Sequence, residues 1–170
     1  NRLGTNSLLD INVFGRRAGI AAAEYAKSTD FAPLPDEPEV YVRGMLEGLL
    51  EGDGTERVGD IRRAMQETMD MNAQVYRTET TLKQAMTDIQ ALRDRYRNIA
   101  VQDKGRRYNT DLLEAVELGF LLDLAEVLIA GALARKESRG GHAREDYQTR
   151  DDVNFMRHTM AYQYLADNPG

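Results

Sequence analysis

Apolar positions three and four apart run through most of this chain, and they predict helices. Asn6 to Tyr25 reads as the first, with Leu8, Leu9, Val13 and Phe14 apolar and many alanines behind them. Gly15 and Gly19 give it a thin face that another backbone can approach closely. A helix so rich in Ala and Gly is expected to lie buried against something larger. Pro33, Pro35 and Pro38 then mark a connector, and Asp36 with Glu39 three residues on predicts a capping box for a helix running to about Glu51. Gly52-Asp53-Gly54 ends it.

From Thr55 the helical period is plain: Val58, Ile61, Met65, Thr68 and Met69 share a face. After a pause near Arg77-Thr78-Glu79, Leu82, Ile89 and Tyr96 repeat every seven residues, and so do Ala85, Leu92 and Ile99. That seam suits an antiparallel bundle better than a long coiled coil. Gly105 and Asn109 punctuate the next turn, and Thr110 to about Arg135 is apolar almost all round. Glu114, Glu117, Asp123 and Glu126 interrupt that helix, so it is expected at the centre of a bundle rather than across a membrane. Residues 136–170 are polar, glycine-punctuated and aromatic in places, as in an ordered loop packed on a partner surface.

Composition narrows the chemistry. The 170 residues carry 22 Lys+Arg against 28 Asp+Glu, a net charge of −6, which argues against general nucleic-acid affinity. Residues 31–60 hold eight acidic and two basic side chains, which read as a solvated face. The absence of cysteine removes disulfides and thiol nucleophiles, and two histidines, His142 and His158, cannot build a multi-histidine metal site. No apolar leader-like run follows Asn1, so nothing points to secretion. Met65, Met69, Met71 and Met86 read as core filling.

Two stretches carry candidate chemistry. In Asn1-Arg2-Leu3-Gly4-Thr5-Asn6-Ser7-Leu8-Leu9-Asp10, an arginine and a glycine precede a helix start, where free N–H groups and the positive end of the macrodipole can hold an anion. An ordinary capped helix is the commoner use of such residues. In Glu137-Ser138-Arg139-Gly140-Gly141-His142-Ala143-Arg144-Glu145-Asp146-Tyr147, the histidine between arginines is either a base or a loop residue bonded to a neighbour.

Taken together and in this order, the two stretches resemble motifs of the succinate dehydrogenase and fumarate reductase flavoproteins. The first, continued by Val13-Phe14-Gly15, is similar to the segment closing their flavin-binding domain. The second, continued by Arg150-Asp151-Asp152, is similar to their C-terminal motif, with Gln148 where the family usually has proline. Val75-Tyr76-Arg77 and Asn109 to Glu126 resemble parts of the helical domain between them. L-aspartate oxidase shares both motifs in altered form.

The resemblance implies a mostly α chain: the end of an FAD-binding domain over 1–31, a linker and acidic helix over 32–54, a three- to four-helix antiparallel bundle over 55–136, and an irregular tail over 137–170. It implies that Arg2 grips a substrate carboxylate and that Ser7 and Leu8 meet the N1/C2-carbonyl edge of FAD. Roles for Arg139, His142 and Arg144 do not follow from it. Absent from the chain are a GxGxxG stretch, the family's flavin-linking histidine and its proton-shuttling arginine domain, so the chain is expected to be the C-terminal portion of a much longer subunit and inactive alone. That subunit would oxidise succinate to fumarate, pass hydride to FAD, and send electrons through an iron–sulfur subunit to quinone. Its place would be cytoplasmic, held on the inner face of the cell membrane by membrane-anchor subunits, with no span of its own. Alternatives are a fumarate reductase, an L-aspartate oxidase, and a non-catalytic helical interaction module.

Overall fold

A computed structural model describes residues 4–162; Arg2 and residues 163–170 lie outside the described residues. The elements in chain order are α1 (Asn6–Ser28), α2 (Val40–Glu51), α3 (Val58–Asn72), β1 (Tyr76–Arg77), α4 (Glu79–Tyr96), α5 (Thr110–Ala134), β2 (Ala143–Arg144) and α6 (Asp152–Phe155). The chain is mostly helical, as its apolar spacing predicts.

Helices α3, α4 and α5 each pack on the other two. Arg93 of α4 pairs with Asp123 and Glu126 of α5, while Tyr96, one turn further along α4, reaches back to the Ala115 carbonyl at 2.9 Å. Rising numbers on α4 thus meet falling numbers on α5, and the two run antiparallel. Arg62 near the start of α3 bonds the Glu114 carbonyl near the start of α5 (3.1 Å), so these two run parallel. The core between them is Val58, Ile61 and Met65 of α3, Leu82, Ala85, Ile89 and Leu92 of α4, and six residues of α5 from Ala115 to Ala132. The seam read on α4 is this core, except that the helix stops at Tyr96 and Ile99 is buried from the loop beyond it. That loop lies against residues 54–56: Glu56 N–H donates to the Asn98 carbonyl and Ala100 N–H to the Glu56 carbonyl, each at 3.0 Å. Gly54 permits the approach, since a Cβ there would collide with the Asn98 backbone.

Local chemistry sets the helix ends. Thr78 and Thr81 form a reciprocal capping box on α4, and the Asn109 side chain accepts the Leu112 N–H to start α5. Lys104 closes the C-terminus of α2 by donating to the Leu50 and Gly52 carbonyls (2.6 and 3.1 Å).

Several expectations need correction. No Asp36 cap forms, because Pro38 keeps the residue before it out of helical conformation; α2 starts only at Val40, and Glu39 pairs with Arg43 at 2.7 Å. Helix α1 buries none of its residues. Helix α5 is not enclosed: one stripe is core, and the opposite one, including Leu113, Phe120 and Leu124, faces out. Met65 is in the core with Met69 and Met86 against it, but Met71 is exposed. Residues 137–152 are ordered, as expected, but they pack on the end of this chain's own bundle. Among the described residues, no helix is long and apolar enough to cross a membrane.

Candidate functional site

At the start of α1, Thr5 sits in the left-handed region (φ 70°, ψ −25°), an uncommon conformation for a β-branched residue. Its carbonyl accepts the N–H groups of Leu8 (3.1 Å) and Leu9 (3.3 Å). The helix has no side-chain cap and no acid in its first turn, so the ordinary capped start is not what forms. Helix geometry leaves the Asn6 and Ser7 N–H groups without intrahelical acceptors, at the positive end of the macrodipole. Ser7 is half-buried and Leu8 is exposed. This is a surface suited to an electron-rich ligand edge. Arg2, expected beside it, falls outside the described residues.

The second motif builds a clasp across one end of the bundle. β2 pairs in parallel with β1, Arg77 opposite Arg144, and Glu145 N–H donates to the Arg77 carbonyl (2.8 Å). Gly140, at φ 57°, turns the chain so that Arg139 and His142 exchange backbone hydrogen bonds at 2.9 and 3.0 Å. Ser138 secures the loop, its hydroxyl accepting the Arg144 N–H and donating to the Tyr147 carbonyl, both at 2.8 Å.

Three anchors hold the clasp. Arg144, 1% exposed, donates Nε and Nη2 to the two carboxylate oxygens of Asp146 (2.7 and 2.8 Å) and Nη1 to the Ala132 carbonyl at the end of α5 (2.8 Å). Asp146 in turn accepts the Glu79 N–H at the start of α4 (2.7 Å). A cation thus meets a helix C-terminus and an anion a helix N-terminus, both matched to the dipoles. The Arg144 guanidinium lies 4.9 Å from the centre of the Tyr147 ring. Glu137, fully buried, accepts from Arg139 (2.8 and 3.1 Å), Arg135 (2.5 Å) and the Asp151 N–H (2.8 Å). The Arg139 hydrogen bonds, with help from the Asp151 N–H and Arg135, pull its carboxyl down to about 2. Arg144 does the same to Asp146, also to about 2.

His142 is the third anchor. Its Nε2 lies 3.1 Å from the Arg135 carbonyl and its Nδ1 3.0 Å from Arg77 Nη1. Because a carbonyl can only accept and a guanidinium can only donate, the ring is neutral with its proton on Nε2. Burial, together with the facing charges of Arg77, Arg144 and Arg135, holds its pKa below the usual imidazole value. A nitrogen already committed to Arg77 is no base for a substrate; His142 is a bonded loop residue. Sequence reading picked out Glu137 to Tyr147, but it set Arg77 in the helical domain and Arg135 at a helix end; their place in the clasp depends on chain segments brought together only by folding. No group that could hold a metal occurs among the described residues.

Comparison with known proteins bears on both ends. Residues 62–169 match the family profile described as fumarate reductase flavoprotein C-term. The chain belongs to the succinate dehydrogenase/fumarate reductase flavoprotein family. It is 44% identical to the succinate dehydrogenase flavoprotein subunit of Rickettsia bellii, over 95% of this chain and 27% of that protein. It is 40% identical to the fumarate reductase flavoprotein subunit of Haemophilus influenzae, again over 95% of this chain and 27% of that one. Among solved structures, a quinol–fumarate reductase with menaquinol molecules superposes with a TM-score of 0.83 at 38% identity, over 92% of this chain and 28% of that chain. The Sdh1 complex of Mycobacterium smegmatis in the apo form gives 0.79 at 35% identity, over 89% and 26%. The chain therefore spans about a quarter of the length of these family members. In this family member the clasp is a structural device, and α1 carries the exposed polar terminus.

Proposed function

We propose that this chain is the C-terminal part of a succinate dehydrogenase flavoprotein subunit, and that the whole subunit oxidises succinate to fumarate. FAD, when bound, accepts the hydride; the electrons then pass through an iron–sulfur subunit to quinone, with membrane-anchor subunits holding the complex on the inner face of the cell membrane. In this reading, residues 1–31 close the FAD-binding domain, 32–54 form a linker and acidic helix, 55–136 are the helical domain and 137–170 the tail. The observation that carries it is the likeness to family flavoproteins over 95% of the chain.

Arg2 grips a substrate carboxylate, a task suited to a planar, permanently charged fork. Ser7 and Leu8 would hold the flavin edge that gains negative charge on reduction, where a helix N-terminus would favour the reduced ring. The uncapped, acid-free first turn of α1 fits such a ligand. Leu8 N–H already bonds the Thr5 carbonyl, so the donors open to the ring are those of Ser7 and its neighbour Asn6. The chain alone is inactive, because the residues that would move hydride and proton are not in it.

Fumarate reduction is the second reading, favoured by the 40% identity to a fumarate reductase subunit. The test is assay of the purified whole subunit and its complex. Flavin absorbance with faster succinate oxidation than fumarate reduction supports the first reading. Faster fumarate reduction supports the second, and absence of flavin overturns both.

A further inference from the structure

His142 joins three segments that are far apart in the chain. Its ring is 6% exposed, and both nitrogens are engaged: Nε2–H donates to the Arg135 carbonyl just past α5, and Nδ1 accepts from Arg77 Nη1. Arg77, 9% exposed, is fixed in turn, its Nε donating to the Ala73 and Gln74 carbonyls (3.1 and 2.5 Å) where α3 ends. The Arg77 carbonyl accepts the Glu145 N–H beyond β2. Arg77 therefore holds the ring with its side chain and the β2 segment with its backbone.

A proton on Nδ1 would turn that acceptor into a donor aimed at a guanidinium, which has only N–H groups to offer. Two cations would then stand 3.0 Å apart in a buried place, with no acceptor between them. Neither can swing aside while its other hydrogen bonds last. The charges acting on the ring are all of one sign: Arg77 on β1, Arg144 on β2 and Arg135 at the end of α5. The acids at this end of the bundle are committed elsewhere. Glu137 serves Arg135 and Arg139, Asp146 serves Arg144, Asp152 serves Arg139 and Arg150, and Glu79 of α4 serves Lys83. Glu137 and Asp146, both held near 2, keep their charge in mild acid, so the other two anchors hold when the ring lets go.

We propose that His142 is an acid-operated latch: in mild acid, uptake of one proton from solvent at Nδ1 parts the ring from Arg77 and releases β2 from β1, while Glu137 and Arg144 keep the segment on the bundle. The closed clasp holds the ring below the usual imidazole value. By linkage, the latch is fully closed above about pH 6.5 and loses ground as pH falls below it.

Hydrogen exchange of the whole subunit tests this, read by mass spectrometry on peptides spanning 76–82 and 139–147, with 118–129 as the bundle reference. Protection is corrected for the intrinsic exchange rate at each pH. In the two clasp peptides it should fall by about 3- to 10-fold from pH 7 to pH 5, since uptake of one proton shifts an opening equilibrium by at most about tenfold per pH unit. It should also lie at least about 10-fold below that of the bundle peptide throughout, as for a unit that opens locally. A flat profile overturns the latch, and so does clasp protection within tenfold of the bundle's, which makes the opening global. His142→Gln keeps an amide donor and acceptor but takes up no proton, and should flatten the profile. The same change at the exposed His158 should leave it as it was. A fall that survives His142→Gln, or vanishes with His158→Gln, overturns the proposal. The ring's own titration, followed by C2-proton exchange in the unmutated subunit, needs no variant to fold: a midpoint at or above about 6.5 overturns the coupling. None of these readouts uses flavin or turnover, so their failure leaves the functional reading untouched.

Discussion

Helices α1 and α5 are nearly equal in length, 23 and 25 residues, and both are rich in apolar and small side chains, yet α5 buries six residues and α1 none. Both have good intrinsic helix formers and lack internal proline. What separates them is company. The partners of α5 lie within a hundred residues of it in the same chain and are locked to it by Tyr96, Arg93 and the clasp. Those of α1 are not among the elements it could meet here. An amphipathic pattern states that a face must be covered; it does not state by what.

The largest consequence is in local stability. In the isolated chain, amides of α5 around Leu118 to Ile129 should exchange only through global unfolding, a barrier of about 5–15 kcal/mol for a domain, while those of Leu8 to Ala23 should exchange with little protection. Hydrogen exchange read by mass spectrometry decides it; slow exchange across α1 in a dilute monomer breaks the contrast.

Next comes the clasp. Glu137→Ala leaves the Arg135 and Arg139 guanidinium groups facing a void where a buried carboxylate stood, and should cost about 3–5 kcal/mol. Urea denaturation followed by circular dichroism measures this. A loss below 1 kcal/mol would mean that water replaces the carboxylate and that the clasp is ornament to the bundle.

The core comparison follows. Leu118→Ala should destabilise the isolated chain by about 2–5 kcal/mol through the cavity it leaves, whereas Leu8→Ala, on an exposed face, should stay within about 0.5 kcal/mol. Equal effects in the same denaturation assay would show that α1 has found a surface.

On the proposed function the start of α1 serves chemistry in the whole subunit, and there the roles should reverse. Arg2→Lys keeps the charge but loses the fork, and kcat/KM for succinate should fall by about 10²-fold, about 2.7 kcal/mol, with flavin content unchanged. Steady-state kinetics with unchanged turnover would make Arg2 a structural residue.

The smallest effect is the titration of His142. Its pKa is depressed in the folded chain by burial and by the charges of Arg77, Arg144 and Arg135, so its contribution is complete above the unfolded imidazole value of about 6.5 and is lost as pH falls below it. Glu137 and Asp146, both near 2 when folded, act in a lower window: their contribution holds above the ordinary carboxylate range and drains away as pH falls from about 4 toward 2. Thermal melts across pH should show both slopes, and His142→Gln should remove only the upper one. A profile flat between pH 7 and 5 in the parent chain would contradict the burial of a neutral ring.

Much of the fold was legible because core spacing is local. The stripe from Val58 to Thr68 and the seam from Leu82 to Leu92 are patterns within single helices, and they are the buried positions. The capping of α2 was misread because Asp36 and Glu39 have cap spacing, while Pro38 between them bars the helix from starting there. Of the candidate site, the two motifs stood out as strings, but the meaning of the second did not. That Arg139, His142 and Arg144 are anchors rather than reactive groups depends on their partners in space: Glu137 and Asp152 for Arg139, Arg77 and Arg135 for His142, and Asp146 with the Ala132 carbonyl for Arg144.

By itself, then, the sequence determined where most helices run, the buried faces of α3 and α4, and the family, since periodicity and motif order are properties of neighbours along a chain. Only the tertiary structure decided that His142 is a neutral, committed ring, that Glu137 is held low by Arg139 and Arg135, and that one apolar stripe of α5 faces out. Burial and charge are properties of neighbours in space: Arg77 and His142 stand 65 residues apart in sequence and 3.0 Å apart when folded.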